Sequence, residues 1–182
     1  MSAPWLFEGI ERSIVAHIKA NIEQALEDTR LRSPVTDNPW PYKVNAILPK
    51  KYFTYVDAID YQLPAIFVIS KSMDMRQEEK GGNFITGQAE VQVTCVVEDK
   101  RSDLCNALAY RYASALHSIL DQANLTISGD LTPPQGVAND FVRVSRIENS
   151  DLFTQTEDKT RSESVFRKEI ALYLKVEHFE NF

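Results

Sequence analysis

The sharpest pattern of apolar and polar positions lies between Ala89 and Val97. Ala89, Val91, Val93 and Cys95 alternate with Glu90, Gln92, Thr94 and Val96. A period of two built on small and β-branched residues predicts a strand with one buried face. Upstream, Ala65 to Ile69 is a continuous apolar run entered through Leu63-Pro64. It predicts a strand over Ala65–Ser70, with Leu63 already extended because a proline follows it. Between the two strands, Met73–Phe84 holds Asp74, Arg76, Glu78, Glu79 and Lys80, then Gly81-Gly82. Charges of both signs and a glycine pair predict an exposed loop.

Two segments carry the helical period. Phe7, Ile10, Ile14, Ile18, Ile22 and Leu26 recur every three or four residues, with charged residues between them. With Ser2 and Pro4 as a start signal, they predict an amphipathic helix from about Pro4 to Asp28. The second stripe is Leu104, Leu108, Tyr112, Leu116, Ile119 and Leu120, opened by the acidic turn Glu98–Asp103. It predicts a helix ending near Asn124, with acidic residues at the positive end of its dipole.

The remaining chain reads as connectors and strands. Thr29–Tyr42 contains Pro34, Pro39 and Pro41 and reads as a surface connector, with Trp40 and Tyr42 half-buried. Val44–Leu48 and Tyr52–Val56 read as two strands or as one irregular hairpin. Leu125–Asp140 is a loop with room for one short strand. Phe141–Glu148 is a strand, carrying Val142, Val144 and Ile147. Gln155–Arg161 is the tip of a long hairpin, from which Ser164–His178 returns as the longest strand. Phe179–Phe182 is a tail. This order predicts an α+β fold: a mixed, mostly antiparallel sheet with two main helices packed on one face, plus a long β-hairpin. At 182 residues a single domain spanning 1–182 is expected.

Composition narrows the function classes only a little. Apolar residues make up 43% and charged residues 25%, an ordinary globular balance. The net charge of -6 argues against a surface built to neutralise phosphates. Cys95 and Cys105 form neither a disulfide framework nor a metal set, and read as buried, reduced residues. MSAPWLFEGIERS has no basic region followed by an apolar one, so no secretory leader is expected. No run reaches the roughly 20 apolar residues of a membrane span, so synthesis in a cytoplasm is expected.

Candidate chemistry is sparse. Asp57 and Asp60 lack a partner cluster and read as solvent-facing rather than as metal carboxylates. His17, His117 and His178 read as surface or helix-flank histidines. Gly81-Gly82 fits neither phosphate-binding spacing, and no serine or cysteine sits in a nucleophile motif. A non-enzyme with no catalytic, cofactor or metal residues is expected.

Four segments carry a family resemblance: LPAIFVIS, GGNFITGQAEVQVTCVVEDKRSDLCNALAYRYASALHSIL, FVRVSRIE and VFRKEIALYLKVEHF. Their order, over about Leu6 to Phe179, resembles the tail terminator (tail-completion or neck) proteins of long-tailed bacteriophages. The resemblance implies a structural virion protein, made in the host cytoplasm and located in the tail or neck. It implies a usually hexameric homo-oligomeric ring that ends polymerisation of the tail tube, and of the sheath in contractile tails. The implied partners are the tail tube protein, the sheath protein, and the head–tail connector or stopper proteins. The resemblance also implies that DNA passes through the lumen without sequence-specific binding, with no membrane or cofactor involved. An acidic wall suits such a conduit, because it repels phosphates rather than gripping them. A ring needs a heterologous contact. The candidates are the outer face of the first helix and two charged segments: Arg76, Glu78, Glu79 and Lys80, and Glu157, Asp158, Lys159 and Arg161. The competing readings are another neck or head-completion ring protein, a tail-tube subunit, and a small α+β enzyme or ligand-binding domain.

Overall fold

The computed structural model describes residues 4–32, 47–54, 62–77, 84–125, 141–158 and 165–181. In chain order the elements are α1 (Pro4–Arg32), β1 (Lys51–Phe53), β2 (Ala65–Gln77), β3 (Phe84–Asp99), α2 (Ser102–Leu120), β4 (Asn124–Leu125), β5 (Phe141–Asp158) and β6 (Val165–Asn181). The strands form one sheet in the order β1-β2-β3-β6-β5-β4. Every neighbouring pair is antiparallel except β1 and β2. Both helices pack on the same face, so the α+β class and the layer arrangement are as the sequence pattern predicts.

Helix α1 buries a single ridge of Ile10, Ile14, Ile18, Ile22 and Leu26, spaced by fours. On a 3.6-residue helix that spacing keeps one narrow stripe against the core. The helix runs four residues past the expected end at Asp28. Thr29 continues it, bonding its hydroxyl to the Ala25 carbonyl, and Glu27 pairs with Arg30. Helix α2 buries Leu104, Leu108, Tyr112, Leu116 and Leu120 from its predicted stripe. It stops at Leu120, short of the expected Asn124. Gln122 takes a left-handed conformation with φ of 54°, and the amide of Asp121 returns to the His117 carbonyl. No glycine marks this end, so the sequence carries no stop signal there. The helices run in opposite directions: His17 lies 3.2 Å from the Ile119 carbonyl, while Glu27 and Arg30 lie by Arg111.

The strands are longer than their apolar patterns. Met73–Gln77, expected in a loop, continues β2 and pairs with Ile85–Ala89. Phe179–Asn181, expected as a tail, continues β6 and pairs with Phe84–Thr86. Asn149–Asp158 continues β5, which at 18 residues is longer than the 17 of β6 and takes the place of the expected longest strand. Backbone pairing holds these polar extensions, and such pairing leaves no apolar alternation in the sequence. Of the doubtful stretch Val44–Val56, the strand is Lys51–Phe53, parallel to Ala65–Phe67. Leu63 is not in a strand; it precedes Pro64 through a cis peptide bond. The remainder of the Thr29–Tyr42 connector after Arg32, with Trp40 and Tyr42, lies outside the described residues, as do Asp57, Asp60 and Gly81-Gly82.

The core lies between the helices and one sheet face, where Val68, Val91, Val93, Cys95, Ile170, Leu172, Leu174 and Val176 meet α1 and α2. The other face carries a smaller cluster of Leu63, Ala65, Phe67 and Val96, with Phe53 stacked on Phe67 at 5.0 Å. Bulges reset the alternation along the flanking strands. In β5, Val144 faces Val176 but Arg146 faces Lys175, leaving Ser145 as the extra residue. That insertion returns Ile147 to the core side and explains why the period skips a residue after Val144. Lys71 is the corresponding extra residue in β2, and Glu148 is a second one in β5.

Candidate interaction surfaces

Of the two charged segments expected to meet another subunit, the described residues are Arg76 in one and Glu157 and Asp158 in the other, and these lie far apart. Strand β3 runs from Phe84, beside the β2–β3 connection, to Asp99, which pairs with Phe166 beside the β5–β6 connection. The two connections therefore leave opposite ends of the sheet. Sixteen residues of strand separate them by about 50 Å at the usual rise of roughly 3.3 Å per residue. Arg76 lies in β2, opposite Thr86. Glu157 and Asp158 lie in β5, opposite Phe166 and Val165. Glu78, Glu79, Lys80, Lys159 and Arg161 lie outside the described residues.

Two sheet edges escaped the sequence reading, because an edge is a product of strand order and not of local pattern. Strand β1 pairs only with Ala65–Phe67 of β2, and β4 only with Val142 and Arg143 of β5. Among the described residues no strand lies beside Val68–Gln77 or beside Val144–Asp158. One amide on the first edge has a partner from the helix layer: the Ser70 N–H donates to the Glu11 carboxylate at 2.7 Å. Burial raises the Glu11 pKa, the Ser70 bonds pull it back, and Glu8 adds a smaller upward push. Beyond Ser70, the stretch Lys71–Gln77 of β2 has no second strand beside it among the described residues.

Away from the cluster of Leu63, Ala65, Phe67 and Val96, the sheet face opposite the helices is polar and mixed in charge. Glu148 pairs with Lys175 at 3.0 Å and with Arg146 at 2.6 Å, and Glu98 lies 3.8 Å from Arg167. Ser72 donates to Glu90, and Gln92 to Thr94. The Lys175 bond is the largest influence holding the Glu148 carboxyl below its usual range. Partly exposed pairs like these stabilise the fold little; their effect is to leave this face without a single dominant sign.

Three buried polar groups mark places where the sequence reading was incomplete. His178, expected at the surface, is buried, because β6 keeps its alternation one step beyond Val176. It faces Gly87 across the β3–β6 ladder, where the missing side chain leaves room for the ring. Tyr112 is fully buried and donates its hydroxyl to the Ile47 carbonyl, and burial pushes its pKa far up. Arg111 sits between the helices; burial lowers its pKa, Arg30 lowers it further and Glu27 opposes them. His17 keeps its expected place on a helix flank, and His117 is exposed.

Both cysteines are free and buried, as expected. Burial pushes each thiol up, and Cys105 donates to the Phe166 carbonyl at 3.3 Å. Among the described residues no group of three or more His, Cys, Asp or Glu is placed to hold a metal ion. No described helix is long and apolar enough to cross a membrane.

No family model matches the sequence, and no curated protein matches it. Among solved structures, the chain is similar to one from the virion of a native gene transfer agent particle. The identity is 13% and the TM-score 0.33, with 88% of this chain and 97% of that chain covered.

Proposed function

We propose that this chain is a structural virion protein: a single α+β domain that forms a ring at the head-proximal end of a phage tail. The ring ends polymerisation of the tail tube, and of the sheath where the tail contracts, and joins the tail to the head connector. The observation that carries the reading is the succession of elements. LPAIFVIS opens β2, ITGQAEVQVTCVVED is β3, the helical stripe is α2, and FVRVSRIE and VFRKEIALYLKVEHF form the β5–β6 hairpin. These are the segments, in the order, on which the resemblance to tail terminators rests.

The placement of the charged segments refines the reading. Among the described residues, Arg76 lies at one end of the sheet and Glu157 and Asp158 at the other. Such segments meet two different neighbours. In a ring with its axis along the strands, one end faces the tail tube and the other the connector. The mixed charge of the sheet face opposite the helices suits a lumen through which DNA slides without sequence-specific contact.

Size-exclusion chromatography with negative-stain imaging of the purified protein tests the proposal. Closed single rings are expected. Long tubes identify a tube subunit instead, and a monomer with a deep, polar-lined pocket overturns the structural role. Location at the neck of an intact particle separates a terminator from another neck ring.

A further inference from the structure

We propose that neighbouring copies interlock edge to edge, with β1 of one copy lying antiparallel beside Asn149–Phe153 of β5 in the next. The inference rests on the ring reading and names the contact that would close the ring.

The two edges of the sheet are stepped, and the steps match. The ladders carry one height across the sheet: Lys51 is level with Ala65, Val96, Glu169 and Phe153. So β1 stands out from one edge at the height where, among the described residues, β5 has no strand beside it. By the same ladders Asn124 is level with Arg143, Glu177, Gln88 and Asp74. So β4 stands out from the other edge at a height that β1 does not reach. Each step is one strand wide. A copy rotated about an axis along the central strands therefore slots its β1 beside the first copy's β5, and takes the first copy's β4 beside its own β2. Strands β1 and β4 then share one column, end to end.

Direction agrees with this fit. Strand β1 is parallel to β2, and β2, β3, β6 and β5 alternate, so β1 and β5 point opposite ways. The new pair is antiparallel, the more stable ladder. Strands β1 and β4 both run opposite to β5, so they point the same way along the shared column. The Lys50 N–H donates to the Pro64 carbonyl at 2.8 Å. Lys50 thus faces β2, and the peptide groups of Lys51 face outward, toward the neighbour.

Charge favours the same partner. Lys50 and Lys51 are exposed, and residues 47–54 include no acidic residue. Asn149–Asp158 holds Asp151, Glu157 and Asp158 and no basic residue. Tyr52 packs on the helix side, which puts Lys51 on the opposite face. Asp151 takes that face too, since it pairs with Ala171, next to the core residue Ile170. Lys51 and Asp151 are then diagonal neighbours across the junction, a spacing that long side chains bridge. An edge meeting its own copy would gather lysines at β1 or acidic residues at β5, and like charges destabilise a ladder. The contact joins two different surfaces, as a ring requires.

The test reads the junction directly. Carbodiimide coupling joins a lysine amine to a carboxylate without a spacer; it is applied to the unaltered ring, followed by proteolysis and mass spectrometry. A Lys51–Asp151 link is expected. Within one chain these positions are four strand spacings apart, about 19 Å at roughly 4.8 Å each, so the link forms only between copies. Charge reversal is the second arm. Lys51→Glu alone and Asp151→Lys alone are each expected to weaken assembly about tenfold, read by light scattering after size exclusion, and the double variant to restore it. Circular dichroism checks that each variant is folded; if one is not, the link on the unaltered chain decides. Rings without that link, or a folded double variant no better than the single ones, refute the interlock and leave the ring reading standing. Absence of rings at any concentration refutes both.

Discussion

Replacing Gly87 by alanine tests the tightest contact in the sheet. A Cβ built there would lie 2.3 Å from His178 Cε1, 2.7 Å from the Asp74 carbonyl oxygen and 3.1 Å from His178 Nδ1. The first neighbour is a buried ring and the second is backbone of the adjoining strand, so neither moves freely. Overpacking of this kind costs about 1–3 kcal/mol, opposed by the roughly 0.5–1 kcal/mol that alanine gains over glycine in a strand. The net expectation is a loss of about 1–2 kcal/mol, which for a chain of this length lowers Tm by roughly 2–8 °C. Scanning calorimetry at one fixed protomer concentration measures it, since assembly makes Tm depend on concentration. The same substitution in a His178→Ala background should cost less, by at least about 0.5 kcal/mol, because the ring contact is gone and only the Asp74 carbonyl remains. An unchanged or higher Tm for Gly87→Ala would refute the reasoning. So would an equal drop in both backgrounds, which would show that the histidine ring is not what the new methyl meets.

Three further perturbations probe other layers of the fold. Val93→Asp puts a carboxylate at a position with no exposure, between Val68 and Leu172; the uncompensated charge should cost more than about 4 kcal/mol and leave no cooperative thermal transition by circular dichroism. Tyr112→Phe removes the hydroxyl that serves the Ile47 carbonyl, and urea titration should show a loss of about 1–3 kcal/mol from the orphaned acceptor. The raised pKa of Glu11 has a definite sign: the folded state holds its proton to higher pH than the unfolded chain, so stability contributed by the neutral form falls as pH rises from about 4.5 through the folded pKa. Glu11→Gln, which keeps an acceptor for the Ser70 amide, should flatten that part of the urea-midpoint profile; a profile that keeps the same slope there would mean the carboxyl does not titrate as its burial implies.

The sequence revealed those parts of the fold that face the core. Ile10 to Leu26, Ala89 to Val97 and Ile170 to Val176 were legible because each buried face repeats at the period of its own element. The strand ends were not legible. Met73–Gln77, Asn149–Asp158 and Phe179–Asn181 are fixed by backbone pairing, which constrains side chains only weakly. His178 was misjudged because its burial depends on a glycine 91 residues away across a ladder. The candidate contact surface followed the same division. The position of Arg76 at one end of the sheet, and of Glu157 and Asp158 at the other, depends on the pairing of β3 with β6. The open edges depend on how little of β2 and β5 the short strands β1 and β4 cover.

One ladder differs from its neighbours. The β3–β6 pairing runs from Phe84–Asn181 to Asp99–Phe166 without a register shift, whereas β2–β3 and β5–β6 are each interrupted by bulges. Mechanically, the molecule has a regular central pair of strands with bulged strands on either side. The unbroken row of hydrogen bonds across the pair resists sliding of β3 against β6, while bending is absorbed at Lys71, Ser145 and Glu148 and between Phe153 and Thr156. Strain on the sheet would collect at the register shifts and spare the core.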